Sequence, residues 1–347
     1  MKKLIKIFSF IILVVLVLSL LPSCDKKKEI NFTLPTRLIT DDTEYVEGDY
    51  KYMLYNDDTA AIIEHTGEET EIVIPETLGG FKVVTIGSGA FYANQNVTSI
   101  VIPETVETIG SSAFNGCMKL EDITIPKTVW EIYPDVFTDT PWLKSHKDEE
   151  FVIIGDSVLL QYNGDRSTVV VPDTVKHLSA AFYGNENVKD VTIPDSVLTI
   201  GCAAFASSTV SRVDVGSNVV QIGDSAFNSC SELSYVNIPD SVKRIENYAF
   251  ASCSGLNWIK IGKNVEYIGV EAFYRASQMS YIYLPKSLLI KDADGNYEQT
   301  IADRAFYDCD YITHVFFEGS EEDFNNLGIT GANFYLSDAT KIYNYKY

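Results

Sequence analysis

The chain has 347 residues, 46% of them hydrophobic, and sets 48 Asp and Glu against 27 Lys and Arg for a net charge of −21. That acidity argues against a nucleic-acid binder, because phosphate contacts draw mainly on Lys and Arg, and it works against adsorption on anionic lipid. Length alone would allow two domains, but an internal repeat overrides that expectation.

Residues 1–23 read as an export signal, with Lys2, Lys3 and Lys6 ahead of an apolar run over residues 7–21. Leu21-Pro22-Ser23-Cys24 then looks like a bacterial lipobox, Pro22 being an unusual occupant, with Cys24 as the acylated residue. The alternative is a plain membrane anchor, since the apolar run spans a bilayer if tilted. Lipidation at Cys24 makes the mature protein anchored rather than spanning. Without the signal, 24 basic residues face 48 acidic ones, a net charge of −24. Residues 24–49 are polar, charged and weakly periodic, as a flexible tether is. Residues 50–85 hold an N-terminal cap and a first repeat strand at Ile72-Val73-Ile74-Pro75.

From residue 86 to 311 the chain repeats. Ser234–Leu256 shows the unit: Val236 and Ile238 alternate with Tyr235 and Asn237, Pro239 closes the strand, and Tyr248-Ala249-Phe250 brings a compact turn or short helix. The Phe recurs at 91, 114, 137, 182, 205, 227, 250, 273 and 306, mostly in steps of 22 or 23. Strand-ending Pro75, Pro103, Pro126, Pro172, Pro194, Pro239 and Pro285 agree, with Gly216 and Gly262 replacing it twice, and so do Cys117, Cys230, Cys253 and Cys309. A repeat carrying one strand cannot bury its own apolar side, so neighbours must stack into one elongated solenoid with a continuous core.

Written out, the unit is L-x-x-V-x-I-P-x-x-V-x-x-I-G-x-x-A-F-x-x-C-x-x. It resembles the BspA-like class of leucine-rich repeats over roughly residues 50–347. Ile125-Pro126-Lys127-Thr128-Val129 and the stretch Val197-Leu198-Thr199-Ile200-Gly201-Cys202-Ala203-Ala204-Phe205 carry the likeness. The resemblance implies an α/β repeat fold, a leucine-rich-repeat solenoid with a parallel sheet on one face. Short strands, turns and short helices would occupy the other face, with caps at both ends. It also implies a bacterial surface protein engaged in adhesion or interaction with host or neighbouring cells.

Two insertions interrupt the period. Residues 144–168 contain Phe151–Ile154 and Val158–Tyr162, which read as a hairpin around Gly155-Asp156, an insertion commonly seen in the family it resembles. Residues 289–300 form a polar loop. Residues 312–347 lose the period and read as the C-terminal cap that a solenoid end requires.

Chemistry is sparse. His65, His146, His177 and His314 stand in no H-E-x-x-H and beside no Cys pair, and no G-x-S-x-G, P-loop or dinucleotide fingerprint appears. Asp292, Asp294, Asn296 and Glu298 space oxygens as a Ca²⁺ loop does, but Gly295 comes fourth rather than sixth, so a solvated turn is the reading. Neither a cofactor nor an enzymatic activity is expected. After Cys24 five Cys remain. An odd number is a poor disulfide framework, and the four at one repeat position should stack as small apolar groups, although Cys230 and Cys253 could bridge.

Strand alternation gives the candidate site. In earlier repeats the outward positions are Ser99 and Val101, Asp122 and Thr124, Asp190 and Thr192, Arg212 and Asp214. In later ones they are Tyr235 and Asn237, Trp258 and Lys260, Tyr281 and Tyr283, His314 and Phe316. In-register stacking makes two adjacent rows, and grouped exposed rings mark binding surfaces. The competing reading is cross-strand stabilisation of the sheet. The expected function is a lipid-anchored, outward-facing, non-catalytic binding module for an extracellular protein. A glycan-capturing lipoprotein is the alternative, and an outer membrane is favoured over a single-membrane anchor.

Overall fold

The computed structural model describes residues 37–39, 43–155, 157–329 and 331–346. The export segment, Cys24 and most of the tether lie outside the described residues.

Each repeat makes two short strands and a turn. The first strand is the V-x-I segment, as in Ser99–Val101, Asp190–Thr192, Arg212–Asp214 and Trp258–Lys260. The second has two residues at the V-x-x-I segment, as in Thr199–Ile200, Gln221–Ile222 and Arg244–Ile245. Both kinds pair in parallel with their counterparts in neighbouring repeats, Val191 opposite Val213 and Ile222 opposite Ile245. Identical repeat positions therefore stack as columns through the molecule.

The Ala-Phe segment is a turn rather than a helix. Among the described residues, α-helix is confined to Pro141–Ser145, Glu321–Asn325 and Phe334–Asp338, outside the regular repeats. A regular turn gives three N–H groups to the next one, as Ser225 does to Asn247, Phe227 to Ala249 and Ser229 to Ala251, at 2.7–2.9 Å. The outer two donors sit in left-handed backbone (φ 55° at Ser225, 61° at Ser229), which costs a non-glycine residue free energy. The bonds to the following turn offset that cost.

Inside, the phenylalanines form a column. From Phe182 to Phe306 neighbouring ring centroids lie 4.9–5.2 Å apart, with planes within 7° of parallel. Beside them Cys117, Cys230, Cys253 and Cys309 donate their thiols to the carbonyls of Phe91, Phe205, Phe227 and Phe273 at 2.9–3.1 Å. All four are buried, and Cys230 and Cys253 are free thiols rather than a bridge. A thiol here is a small apolar filler with one weak donor, and the preceding repeat supplies its acceptor.

The core is not continuous. One apolar cluster runs from Tyr52 to Val158 and a second from Leu159 to Ala339, dividing within the hairpin. The reason is visible at the two hairpins. At the start of the solenoid, Tyr50–Leu54 and Thr59–His65 pair antiparallel, Thr66 N–H meets Asp49 O, His65 N–H meets Ala90 O, and the His65 ring stacks on Phe91 at 4.9 Å. In the insertion, Phe151–Ile154 and Val158–Tyr162 pair antiparallel, Asn163 N–H meets Glu150 O, Tyr162 N–H meets Ala181 O, and the Tyr162 ring packs on Phe182 at 5.3 Å. The insertion thus repeats the N-terminal cap and starts a second stack. The first stack is closed by Trp142, whose indole lies 4.6 Å from Phe137. At the far end His314–Phe317 and Thr340–Ile342 extend the V-x-I sheet as two further strands.

Candidate binding surface

The outward rows assemble on the last sheet, ordered Trp258–Lys260, Tyr281–Leu284, His314–Phe317 and Thr340–Ile342. Trp258, Tyr281, His314 and Thr340 stand opposite one another in one row, and Lys260, Tyr283, Phe316 and Ile342 in the next. Trp258 and Tyr281 are 42% and 43% exposed, and Lys260 is exposed. Tyr283 and Phe316 are half-buried, stacked at 4.5 Å with planes 14° apart. Tyr281 touches His314 at 5.5 Å, and Trp258 meets Tyr283 edge-on at 6.4 Å.

Tyr235 joins this surface without joining the sheet. Its ring meets Trp258 edge-on at 6.4 Å, yet strand Tyr235–Val236 belongs to the preceding sheet, after Arg212–Asp214. Asn237 explains the break. Its Oδ1 accepts Val215 N–H at 2.6 Å and its Nδ2 donates to Val215 O at 3.0 Å. The side-chain amide therefore occupies the rung that backbone fills in other repeats, where Ile193 N–H meets Asp214 O and Ile261 N–H meets Tyr283 O. The outward alternation suggested that Asn237 faces a ligand. The structure commits its amide to Val215 instead, and it drops out of the candidate set.

Two side chains enter that the rows did not include. Arg212 stacks over the Tyr235 ring at 3.9 Å while pairing with Asp214 at 2.7 Å. Tyr345, beyond the last strand, packs against Tyr283 at 5.2 Å and Phe316 at 5.3 Å. Arg212 lies one strand before the aromatic positions; the alternation turns it outward but does not join it to their rows. Tyr345 arrives by a return of the chain that no period announces. Burial, and then Tyr345 and Tyr281, push the Tyr283 hydroxyl above its ordinary range, so it stays protonated at neutral pH. The surface is a belt running Arg212, Tyr235, Trp258, Tyr283, Phe316, Tyr345, with Tyr281 and His314 beside it. Rings provide the area, and one ammonium, one guanidinium, an imidazole and several phenols provide the polar rim.

The two-residue strands carry a different cluster. Glu131 is pushed up to about 7 by burial, then by Asp224 and Glu246, while the Tyr133 hydroxyl donates to it. Burial and the Asp224 and Glu131 charges push the nearby Cys202 thiol up to about 12. Glu246 is held by Arg244 at 2.7 Å and Gln221 at 3.0 Å. Among the described residues no group of three His, Cys, Asp or Glu is placed to hold a metal ion. The Asp292 carboxylate accepts its own loop's N–H groups, from Asp294 at 3.0 Å and Asn296 at 2.8 Å.

Stacked parallel strands with a repeated leucine-rich unit define a leucine-rich-repeat solenoid. A family model described as BspA type leucine rich repeat region, in six copies, matches residues 65–180 and 176–294. The chain belongs to that family, a leucine-rich-repeat protein of bacterial surface-protein type. Similar solved structures include a leucine rich cell surface protein from Faecalibacterium prausnitzii, 22% identical over 84% of this chain and 99% of that one, with a TM-score of 0.35. A Treponema pallidum leucine rich repeat protein is 24% identical over 63% of this chain and 85% of its own, with a TM-score of 0.30. The pneumococcal vaccine antigen PcpA is 17% identical over 88% and 99%, with a TM-score of 0.46. No curated protein matches the chain. Among the described residues no helix is long and apolar enough to cross a membrane.

Proposed function

We propose that this protein is a non-catalytic binding module held at the cell surface by a lipid on Cys24, and that its aromatic belt captures an extracellular protein. The carrying observation is the concentration of Tyr235, Trp258, Tyr281, Tyr283, His314, Phe316 and Tyr345 on one end of one face, rings touching rings. Tyr, Trp and Arg dominate protein-interface hot spots. A protein is favoured over a sugar because the belt offers many rings and few directed polar groups, Asn237 being engaged with Val215. Glycan capture is the second reading, supported by the exposed Trp258 ring.

The test is binding of the full chain, in detergent, to arrayed extracellular-matrix proteins and glycans. A Trp258→Ala, Tyr281→Ala variant of unchanged melting temperature runs beside it. Protein binding that falls at least tenfold in the variant supports the proposal. Glycan binding lost in the variant supports the second reading, and binding that survives places the site elsewhere. For the anchor, Cys24→Ala should abolish incorporation of labelled fatty acid; retained label would refute lipidation there.

A further inference from the structure

The nine repeat phenylalanines offer an internal comparison that concerns a different part of the molecule from the aromatic belt. A stacked turn normally passes its central N–H, that of the Phe, to the following turn. Phe91, Phe114, Phe182, Phe205, Phe227, Phe250 and Phe273 donate to backbone carbonyls of the next repeat at 2.7–3.0 Å. Phe306, at the C-terminal end, donates to the Asn333 side-chain oxygen at 2.9 Å. Phe137 alone has no acceptor among the described residues. The flanking donors of its turn, Asp135 and Asp139, also have none, although they keep the left-handed backbone (φ 62° and 64°) that aims such groups at a following repeat.

The following turn exists, but the hairpin has taken its acceptor: Ala181 O receives the Tyr162 N–H. Between the two turns lies a cleft of about 520 Å³, with Asp135, Phe137 and Thr138 on one wall and Ala180, Ala181 and Glu186 on the other. Phe137 lines this cleft and is only 2% exposed as a residue, and its N–H lacks the protein acceptor that folded chains usually supply.

We infer that this cleft is a second ligand site, which takes a polypeptide segment whose amide carbonyls accept the N–H groups of Asp135 and Phe137. The chemistry of the occupant follows from the same ladder. Everywhere else this donor is met by an amide carbonyl, of backbone or of Asn333. Two donors along one turn match carbonyls spaced along one chain, as in strand or turn addition to an open edge. The carboxylates of Asp135 and Glu186 at the rim reject an anion, so the segment is neutral or basic.

The test uses the full chain, with a random peptide library of about 12 residues as probe and amide hydrogen exchange as readout. In the free chain the Phe137 amide should exchange at least tenfold faster than that of Phe114; equal protection would overturn the proposal. Selected peptides should slow exchange in residues 134–140 at least tenfold and lose at least tenfold in affinity for Ala180→Trp, which fills the cleft. Thr138→Trp, from the opposite wall, serves if the first variant melts early. Failure to enrich any peptide, binding indifferent to both fillers, or protection appearing only at Trp258 and Tyr281 would each overturn it.

Discussion

The side chain of Asn333 stands in for a missing repeat against Phe306, its oxygen accepting the Phe306 N–H at 2.9 Å and its nitrogen donating to Ala302 O at 3.1 Å. Asn333 is fully buried, so an apolar replacement strands two backbone groups without water. Asn333→Leu should lower unfolding free energy by ~2–4 kcal/mol. Urea denaturation checks this; a loss below ~1 kcal/mol would show that the end of the ladder needs no cap.

Phe227 is fully buried between Phe205 at 4.9 Å and Phe250 at 5.0 Å. Phe227→Ala removes two ring contacts and leaves a hole that rigid neighbours cannot fill, so the expected cost is ~3–5 kcal/mol. Phe137→Ala, whose ring lies 5.6 Å from Phe114 and against a Trp142 tilted by 51°, borders the open cleft and should cost less. Equal losses in calorimetry would contradict the column as the source of stability.

Burial pushes the Cys117 and Cys230 thiols up to about 11 and that of Cys309 up to about 12. The thiolate is the reactive form. At pH 8 the folded chain should therefore leave all three, and Cys253, unlabelled by a thiol reagent that modifies them rapidly in 6 M guanidinium. Fast labelling of any one in the native state would show that its repeat opens.

Glu131 makes stability fall as pH rises through neutrality. Its folded value of about 7 lies above the ordinary 4.5, so the native state holds a proton that the unfolded chain releases. Its contribution is fully present below pH 4.5 and is lost as pH rises through 7. Glu131→Gln keeps the neutral form, so above pH 7.5 the variant should be more stable than the wild type by roughly 1–3 kcal/mol, with the difference vanishing near pH 4. A pH-independent difference would mean that packing, not charge, sets it.

His177 acts in the opposite sense. Burial, and then Lys176, hold its imidazole down to about 4 against an ordinary 6.5, and it contacts Thr199 Oγ1 at 2.9 Å. Stability it contributes is present above pH 6.5 and lost as pH falls through 4. His177→Gln should therefore flatten the acid limb of a melting-temperature profile, and an unchanged limb would assign acid lability to other groups.

The sequence carried what depends on period. Phe, Pro and Cys at fixed spacing specified the stack, and two-residue alternation put Trp258, Tyr281 and His314 on one row. What it hid depends on departures from period. Asn237 looks like one more outward residue until its amide is seen to replace a backbone rung. Residues 151–162 look like an insertion until Tyr162 is seen to do for Phe182 what His65 does for Phe91. Glu131, Asp224 and Glu246 come from three repeats, and no spacing along the chain announces that their charges act on one another.

Because the turns that donate all do so toward the C-terminal side, each stack has a donor end and an acceptor end, as a magnet has two poles. Two such molecules laid head to tail would join by the bonds that join repeats, and the contact would propagate into a fibre rather than close. The hairpin carrying His65 covers one pole and Asn333 covers the other. Capped in this way, the chain offers such a contact neither the Ala90 carbonyl at one end nor the Phe306 N–H at the other.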